Sequence, residues 1–175
     1  MSRDAGSPSR GRTPWHGRPG CRFMLAVLVL LALVAVFIAR VIPHGPPLGS
    51  MPVRLIRVSD GDTIVVRRLG MGGVAVGEPI HVRLCGIDTP ELGSASGFRS
   101  ALFAAELLEH ARSLKLEVEP RTPRDKYGRT LGWLWVYTPE RRELLLQEEL
   151  VKGGHAALYP DAKGSKYWDR LVRAQ

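Results

Sequence analysis

Four acidic residues stand beside turns in this sequence, Asp60 and Asp62 in Ser59-Asp60-Gly61-Asp62, and Asp88 and Glu91 in Asp88-Thr89-Pro90-Glu91. Two carboxylates brought close in space, without histidine or thiolate beside them, select a hard cation such as Ca²⁺ or Mg²⁺. Two arginines accompany them. Arg83 interrupts an apolar stretch five residues before Asp88, and Arg129 directly follows the turn Asp125-Lys126-Tyr127-Gly128. Guanidinium forks bind phosphate bidentately and stabilise charge that grows in a transition state. A metal polarises a phosphoryl oxygen and orients water, and a spare carboxylate accepts that water's proton. Together the set matches what hydrolysis of a phosphodiester demands.

Taken singly, each feature has a plainer reading. Asp60-Gly61-Asp62-Thr63 is a hairpin turn. Arg83 can reach solvent from one face of its strand, and Arg129 can be a solvated arginine beside a turn whose Gly128 supplies positive φ. Asp88 and Glu91 have the spacing of a helix-capping box. That box should open an apolar-periodic run, yet Leu92-Gly93-Ser94-Ala95-Ser96-Gly97 follows, so Glu91 has no evident structural task.

The elements that must position these residues follow from periodicity. Residues 53–58 and 63–69 read as strands joined through the acidic turn, and a glycine-rich loop, GMGGVAVGEP, leads to a third strand at 80–87. An apolar stripe at Phe98, Ala101, Leu102, Ala105 and Leu108 predicts a helix over 98–112. Leu114, Leu116 and Val118 alternate with Lys115, Glu117 and Glu119 as in a half-buried strand, and residues 130–137 form another. Helices are expected at about 141–152, stopped by Gly153-Gly154, and at 162–173, with Tyr167, Trp168, Leu171 and Val172 on one face. Trp133 and Trp135 share a strand face, as a platform for stacked bases or as core. Five strands with one inserted helix and two trailing ones describe an α+β domain, a β-barrel with helices.

Composition narrows the partners. The formal charge of +8 divides unevenly: residues 1–50 hold six Arg and one Asp, or +5, and the remaining 125 residues carry only +3. Charge alone is therefore a weak argument for nucleic acid. Cys21 and Cys85 are too few for a disulfide scaffold or a cysteine-rich zinc module, and the five histidines show no paired ligand spacing. Cys85 reads as a small core residue, and His81, His110 and His155 as structural or solvated.

The first 50 residues have their own organisation. Residues 1–22, rich in Arg, Ser, Gly and Pro, read as a basic disordered tail. Phe23 to Ala39 is an unbroken apolar run of 17 residues, about 25 Å as a helix against a hydrocarbon core of ~30 Å. Val41 and Ile42 extend it if Arg40 snorkels, so residues 23–42 are expected to form a transmembrane anchor, followed by a linker over 43–50. Arg10, Arg12, Arg18 and Arg22 precede the span, which puts the N-terminus in the cytoplasm and residues 51–175 on the far side. A cleaved signal peptide is the rival, opposed by the lack of a small residue at the −3 position of Phe37-Ile38-Ala39. An organelle membrane is a further alternative.

The motifs DGDT, RLCGIDTPE and DKYGR, in this order, resemble the staphylococcal-nuclease-like (thermonuclease) family from about Val53 to about Arg173. The resemblance implies a five-stranded OB-fold barrel with about three helices over residues 51–175. It implies Ca²⁺ held by Asp62, Asp88 and the main-chain carbonyl of Thr89, with Asp60 shaping the turn. Arg83 and Arg129 would be the phosphate-binding catalytic arginines, Glu91 the general base, and Lys126 and Tyr127 substrate contacts. Tyr159 is a candidate for the family's stacking tyrosine. The expected activity is Ca²⁺-dependent cleavage of DNA and RNA with little sequence preference, favouring single-stranded regions and leaving 3′-phosphate ends. A monomer with no obligate protein partner is expected. The alternative is a catalytically inactive OB-fold module that binds single-stranded nucleic acid; every matching position is retained here, which favours the enzyme. The chain stops at Gln175, within the expected last helix, so docking of Trp168 and its neighbours is expected to hold that helix in place.

Overall fold

The structure, a computed structural model, describes residues 27–34, 49–139 and 143–175. The described residues fall into two units, 27–34 in the first and the rest in the second. In the first, residues 27–34 are helical and exposed. The rest of the expected span, the basic tail and most of the linker lie outside the described residues. Among the described residues, no helix is long and apolar enough to cross a membrane.

The second unit is built on a barrel. β1 (Met51–Asp60) pairs antiparallel with β2 (Thr63–Leu69), and β2 with β3 (Ala75–Leu84). β1 also pairs with β5 (Ser113–Val118), which pairs with β6 (Thr130–Tyr137). Parallel pairing of β3 with β6, Val82 opposite Thr130 and Leu84 opposite Gly132, closes the five strands on themselves. The short β7 (Leu144–Leu145) adds to the free edge of β6, and β4 (Ile87–Asp88) pairs with β8 (Ala157–Leu158) outside the barrel. Three helices accompany the strands: α1 (Ala95–Glu109), α2 (Leu146–Lys152) and α3 (Trp168–Val172). The expected α+β barrel with about three helices is the observed one.

Apolar side chains from all layers meet inside, including Ile64, Val66, Val82, Leu84, Leu116, Trp133 and Leu134. Gln147 of α2 is fully buried among them, donating to the Gly132 carbonyl and accepting from the Leu134 N–H, so it satisfies two β6 backbone groups.

Several boundaries differ from expectation. The glycine-rich segment is largely strand: β3 begins at Ala75, with Leu69 paired to Ala75 and Arg68 to Val76. Gly72, Gly73 and Gly77 take positive φ there, so the glycines shape the turn and an irregular strand rather than a free loop. The buried face of α1 is Gly97, Ser100, Ala104 and Leu108, rotated from the expected stripe, and Phe98 and Leu102 are exposed. Close approach explains this, because a Cβ on Gly61 in the β1–β2 turn would stand 2.8 Å from the Ser100 Cβ. Only small side chains fit between helix and turn.

Glu117 and Glu119 were expected on a solvated strand face, yet they are 4% and 2% exposed. Donors surround them. The Trp135 indole donates to Glu117 and the Trp133 indole to Glu119, while Lys166 and the Tyr167 hydroxyl also donate to Glu117. Both tryptophans meet Tyr167 edge to face, so neither is free to stack a base. Helix α2 starts later than expected, at Leu146, after β7. The expected last helix shrinks to a 3₁₀ turn at Pro160–Ala162 and five residues of α3. Leu171 is fully buried, Trp168 only partly, and Val172 is exposed. Leu171, rather than Trp168, anchors this end.

Candidate active site

The acidic turn between β1 and β2 sits against α1 and the segment after β4. The Asp60 carboxylate accepts from the Asp62 N–H at 3.1 Å, which closes the turn on itself. A Cβ on Gly61 would also meet Thr89 Cγ2 at 2.9 Å, so glycine is required here by contact rather than by φ. Asp62 is thereby packed under Thr89, whose N–H and hydroxyl both donate to Asp62 Oδ2, at 2.8 and 3.0 Å. Thr63 Oγ1 donates to the other oxygen at 3.1 Å. Burial pushes the Asp62 carboxyl up to about 6, against the pull of Arg83 and the Thr89 N–H.

Arg83 joins the two expected metal ligands. On β3 it lies opposite Thr63 of β2 and Leu131 of β6, at the seam where the barrel closes. Its Nη1 lies 2.6 Å from Asp62 Oδ2 and its Nη2 donates to Asp88 Oδ1 at 2.6 Å, with the side chain only 14% exposed. Asp88 is held from the other side by pairing of β4 with Ala157 of β8. One guanidinium therefore spans two carboxylates that lie 26 positions apart in sequence.

Arg129 is held by its own turn. Asp125 Oδ1 accepts from the N–H groups of Tyr127 and Arg129, and Oδ2 from Arg129 Nε at 2.7 Å. Burial alone would raise the Asp125 carboxyl, but these donors hold it below its ordinary value. Gly128 takes φ +79° in this turn, as its position suggested. Arg129 Nη1 reaches Thr63 Oγ1 at 3.4 Å, two hydrogen bonds from Asp62. Exposed Tyr127 carries Lys126 Nζ at 5.0 Å and Arg129 Cζ at 5.5 Å from its ring centre.

Glu91 stands apart. Its side chain is exposed and makes no hydrogen bond or ion pair among the described residues. Its main chain is firmly held: the Glu91 carbonyl accepts from the N–H and hydroxyl of Ser94, the N-cap of α1. The cap is thus Ser94 rather than Asp88.

Asp62, Asp88, Thr89 and Arg83 are in direct contact, and Arg129 joins them through Thr63. Three supporting residues were not singled out as site residues in the sequence: Thr63, Asp125 and Gly97. Asp125 had a visible signal, an aspartate opening a glycine-containing turn just before a candidate arginine. Tyr159 lines the same cavity as Arg83, Asp88 and Arg129, its N–H donating to Gly86 and its hydroxyl to Asp161. Cys85 is buried, which raises its thiol to about 11; it is core rather than chemistry.

The arrangement presents two fixed guanidinium groups beside a pair of carboxylates, suited to grip a phosphate next to a cation. Among the described residues, no three His, Cys, Asp or Glu side chains gather as metal ligands. A cation here would rest on two carboxylates, main-chain oxygen, water and substrate. An all-oxygen set of this kind fits a hard ion.

Comparison with known proteins agrees. Residues 81–175 match the family described as Staphylococcal nuclease homologue. The thermonuclease of Staphylococcus intermedius is 33% identical over 162 residues, 85% of this chain and 88% of that protein. The thermonuclease of Staphylococcus hyicus is 26% identical over the same length and shares. The micrococcal nuclease of Shigella flexneri is 36% identical over 115 residues, 66% of this chain and 56% of that protein. With barrel, motif order and sequence match all in hand, the chain belongs to the staphylococcal nuclease homologue family and is a nuclease, a phosphodiester hydrolase.

Proposed function

We propose that this nuclease is calcium-dependent, cleaves DNA and RNA with little sequence preference, favours single-stranded regions and leaves 3′-phosphate ends. The observation that carries the reading is the Arg83 guanidinium spanning Asp62 and Asp88, with Arg129 two hydrogen bonds away. In this reading Asp62, Asp88 and the Thr89 carbonyl hold Ca²⁺. The bound ion would supply positive charge to a phosphoryl oxygen and order a water. Arg83 and Arg129 bind the scissile phosphate and stabilise its growing charge. Glu91, exposed on a tethered loop, accepts the proton of the attacking water, and the 5′ oxygen leaves. Lys126 and Tyr127 contact a second phosphate of the strand, and Tyr159 stacks on a base. The protein works as a monomer.

The deciding experiment incubates the full chain with end-labelled single-stranded DNA and RNA, with Ca²⁺ or with chelator, and identifies the product ends. Cleavage that needs Ca²⁺ and leaves 3′-phosphates is expected; equal cleavage in chelator, or 5′-phosphate products, would refute the reading. Few protein ligands also mean weak affinity for the free ion that tightens with nucleotide present.

We further infer that residues 23–42 anchor the chain in a membrane, with the nuclease domain of 51–175 on the non-cytoplasmic side. The support is the apolar run and its basic N-terminal flank. The chain should resist alkaline carbonate extraction; a mature N-terminus near residue 40 would show cleavage instead.

A further inference from the structure

The cavity beside Arg83 and Arg129 has a volume of about 680 Å³, within the ~300–1,000 Å³ usual for small-ligand sites. Its walls carry acids and cations, but their pairing is uneven. Every carboxylate of the lining is engaged: Asp88 by Arg83, Asp125 by Arg129, Glu119 by the Trp133 indole and Asp161 by the Tyr159 hydroxyl. The lining cations are less evenly paired: Lys126 meets only the Tyr127 ring, and two others lack even that. Neither the Arg121 guanidinium nor the Lys163 ammonium has a hydrogen-bond or ion-pair partner among the described residues.

These two come from different parts of the chain, the β5–β6 connection and the turn after β8. A Cβ built on Gly164 would stand 3.0 Å from Arg121 Nη1, so the guanidinium lies against the turn that presents Lys163. Two cations lining one concave wall raise the local positive potential. An anion in the cavity would be drawn to both. None of the roles assigned above uses either residue.

We propose that Arg121 and Lys163 form a further phosphate subsite, holding a phosphodiester of the single strand beyond those at Arg83 and Arg129 and at Lys126 and Tyr127. The subsite rests on the nuclease reading above and extends it: the enzyme grips a run of the strand, and kcat/KM rises with substrate length until the subsite is filled.

The test uses the full chain and the double variant Arg121→Gln, Lys163→Gln, with two substrates in Ca²⁺. One is a dinucleoside monophosphate, which carries the scissile phosphate alone; the other is an oligothymidylate of about eight nucleotides, within single-strand site sizes. The double variant should raise KM about tenfold on the oligomer, the loss expected for a charge-assisted contact. KM on the dinucleoside monophosphate, and kcat on both, should not change. The slope of log(kcat/KM) against log salt should flatten by about 0.7, one phosphate contact on a single strand. Arg121→Lys with Lys163→Arg should restore most of that slope. Equal KM changes on both substrates, or none on either, would overturn the subsite. Anisotropy of labelled oligothymidylate in chelator measures binding without cleavage, and equal affinity of wild type and double variant there would overturn it too. A wild type that binds the oligomer more tightly than the double variant does but cleaves neither substrate in Ca²⁺ would refute the calcium-dependent reading above and leave the subsite standing.

Discussion

At the scale of single residues, the two arginines differ in how they are held. Arg83 is fixed by two carboxylates that a cation would also seek, whereas Arg129 is fixed by Asp125, which has no part in holding metal. Arg129→Ala should therefore lower kcat by about 10²–10³, the usual loss for one charge-stabilising donor. Asp125→Asn keeps the guanidinium but loosens its aim, and misplacement by about 1 Å can cost up to ~10². A loss smaller than that of Arg129→Ala is expected, with KM moving less than kcat. Steady-state kinetics on single-stranded DNA measure both. Full activity in Arg129→Ala would remove the assigned role.

At the scale of elements, α1 acts on the site through packing, and α2 holds the C-terminal helix. Ser94 caps α1 by accepting from the Gly97 N–H at 2.9 Å, and the same serine holds the Glu91 carbonyl. A Cβ on Gly97 would stand 2.0 Å from that carbonyl oxygen. Two effects compete in Gly97→Ala: helix propensity favours alanine by about 1 kcal/mol, while overpacking costs about 1–3 kcal/mol. The clash is with backbone, so overpacking should win and displace the Glu91 loop. We expect kcat to fall more than tenfold while circular dichroism shows the barrel intact; unchanged kcat would mean that the loop position does not matter. Helix α2 is tied to α3 by Glu148, which pairs with Lys152 at 2.6 Å and with Arg170. Burial alone would raise the Glu148 carboxyl, but these two cations hold it below its ordinary value. A depressed carboxyl contributes stability above its unfolded pKa and loses it as pH falls through the folded one. Glu148→Gln should thus flatten the loss of stability below about pH 4.3, the ordinary glutamate value. Denaturant midpoints across that range, wild type against variant, read the difference, and parallel curves would exclude the pair.

At the scale of the molecule, the C-terminal end is held by one side chain more than by a helix. Five residues of α3 cannot be stable alone. Leu171 is fully buried, and a Cβ on Gly86 would meet its Cδ1 at 2.6 Å, so this leucine packs directly over the turn that leads to Asp88. Leu171→Ala should cost about 2–5 kcal/mol, a large share of the ~5–15 kcal/mol that holds a domain folded. Trp168→Ala should cost clearly less, because Trp168 stays partly exposed. Urea unfolding followed by circular dichroism ranks the two, and the reverse order would mean that the end is docked through Trp168.

The chain by itself determined the barrel's five main strands and the acidic turn, because periodicity and turn chemistry are local. The apolar, aromatic-rich run over 130–137 and the Asp-Gly-Asp-Thr turn could be read without neighbours. Which face of α1 packs could not: the apolar stripe pointed to Phe98 and Leu102, whereas close approach to Gly61 and Glu91 demands Gly97 and Ser100. Glu117 and Glu119 looked solvated because a sequence shows a charge but not its donors, here two indoles, a tyrosine and a lysine drawn from distant segments. The meeting of Asp62, Arg83, Asp88 and Arg129 was likewise a tertiary decision. It requires the parallel closure of β3 on β6 and the pairing of β4 with β8, contacts between segments that no local pattern encodes.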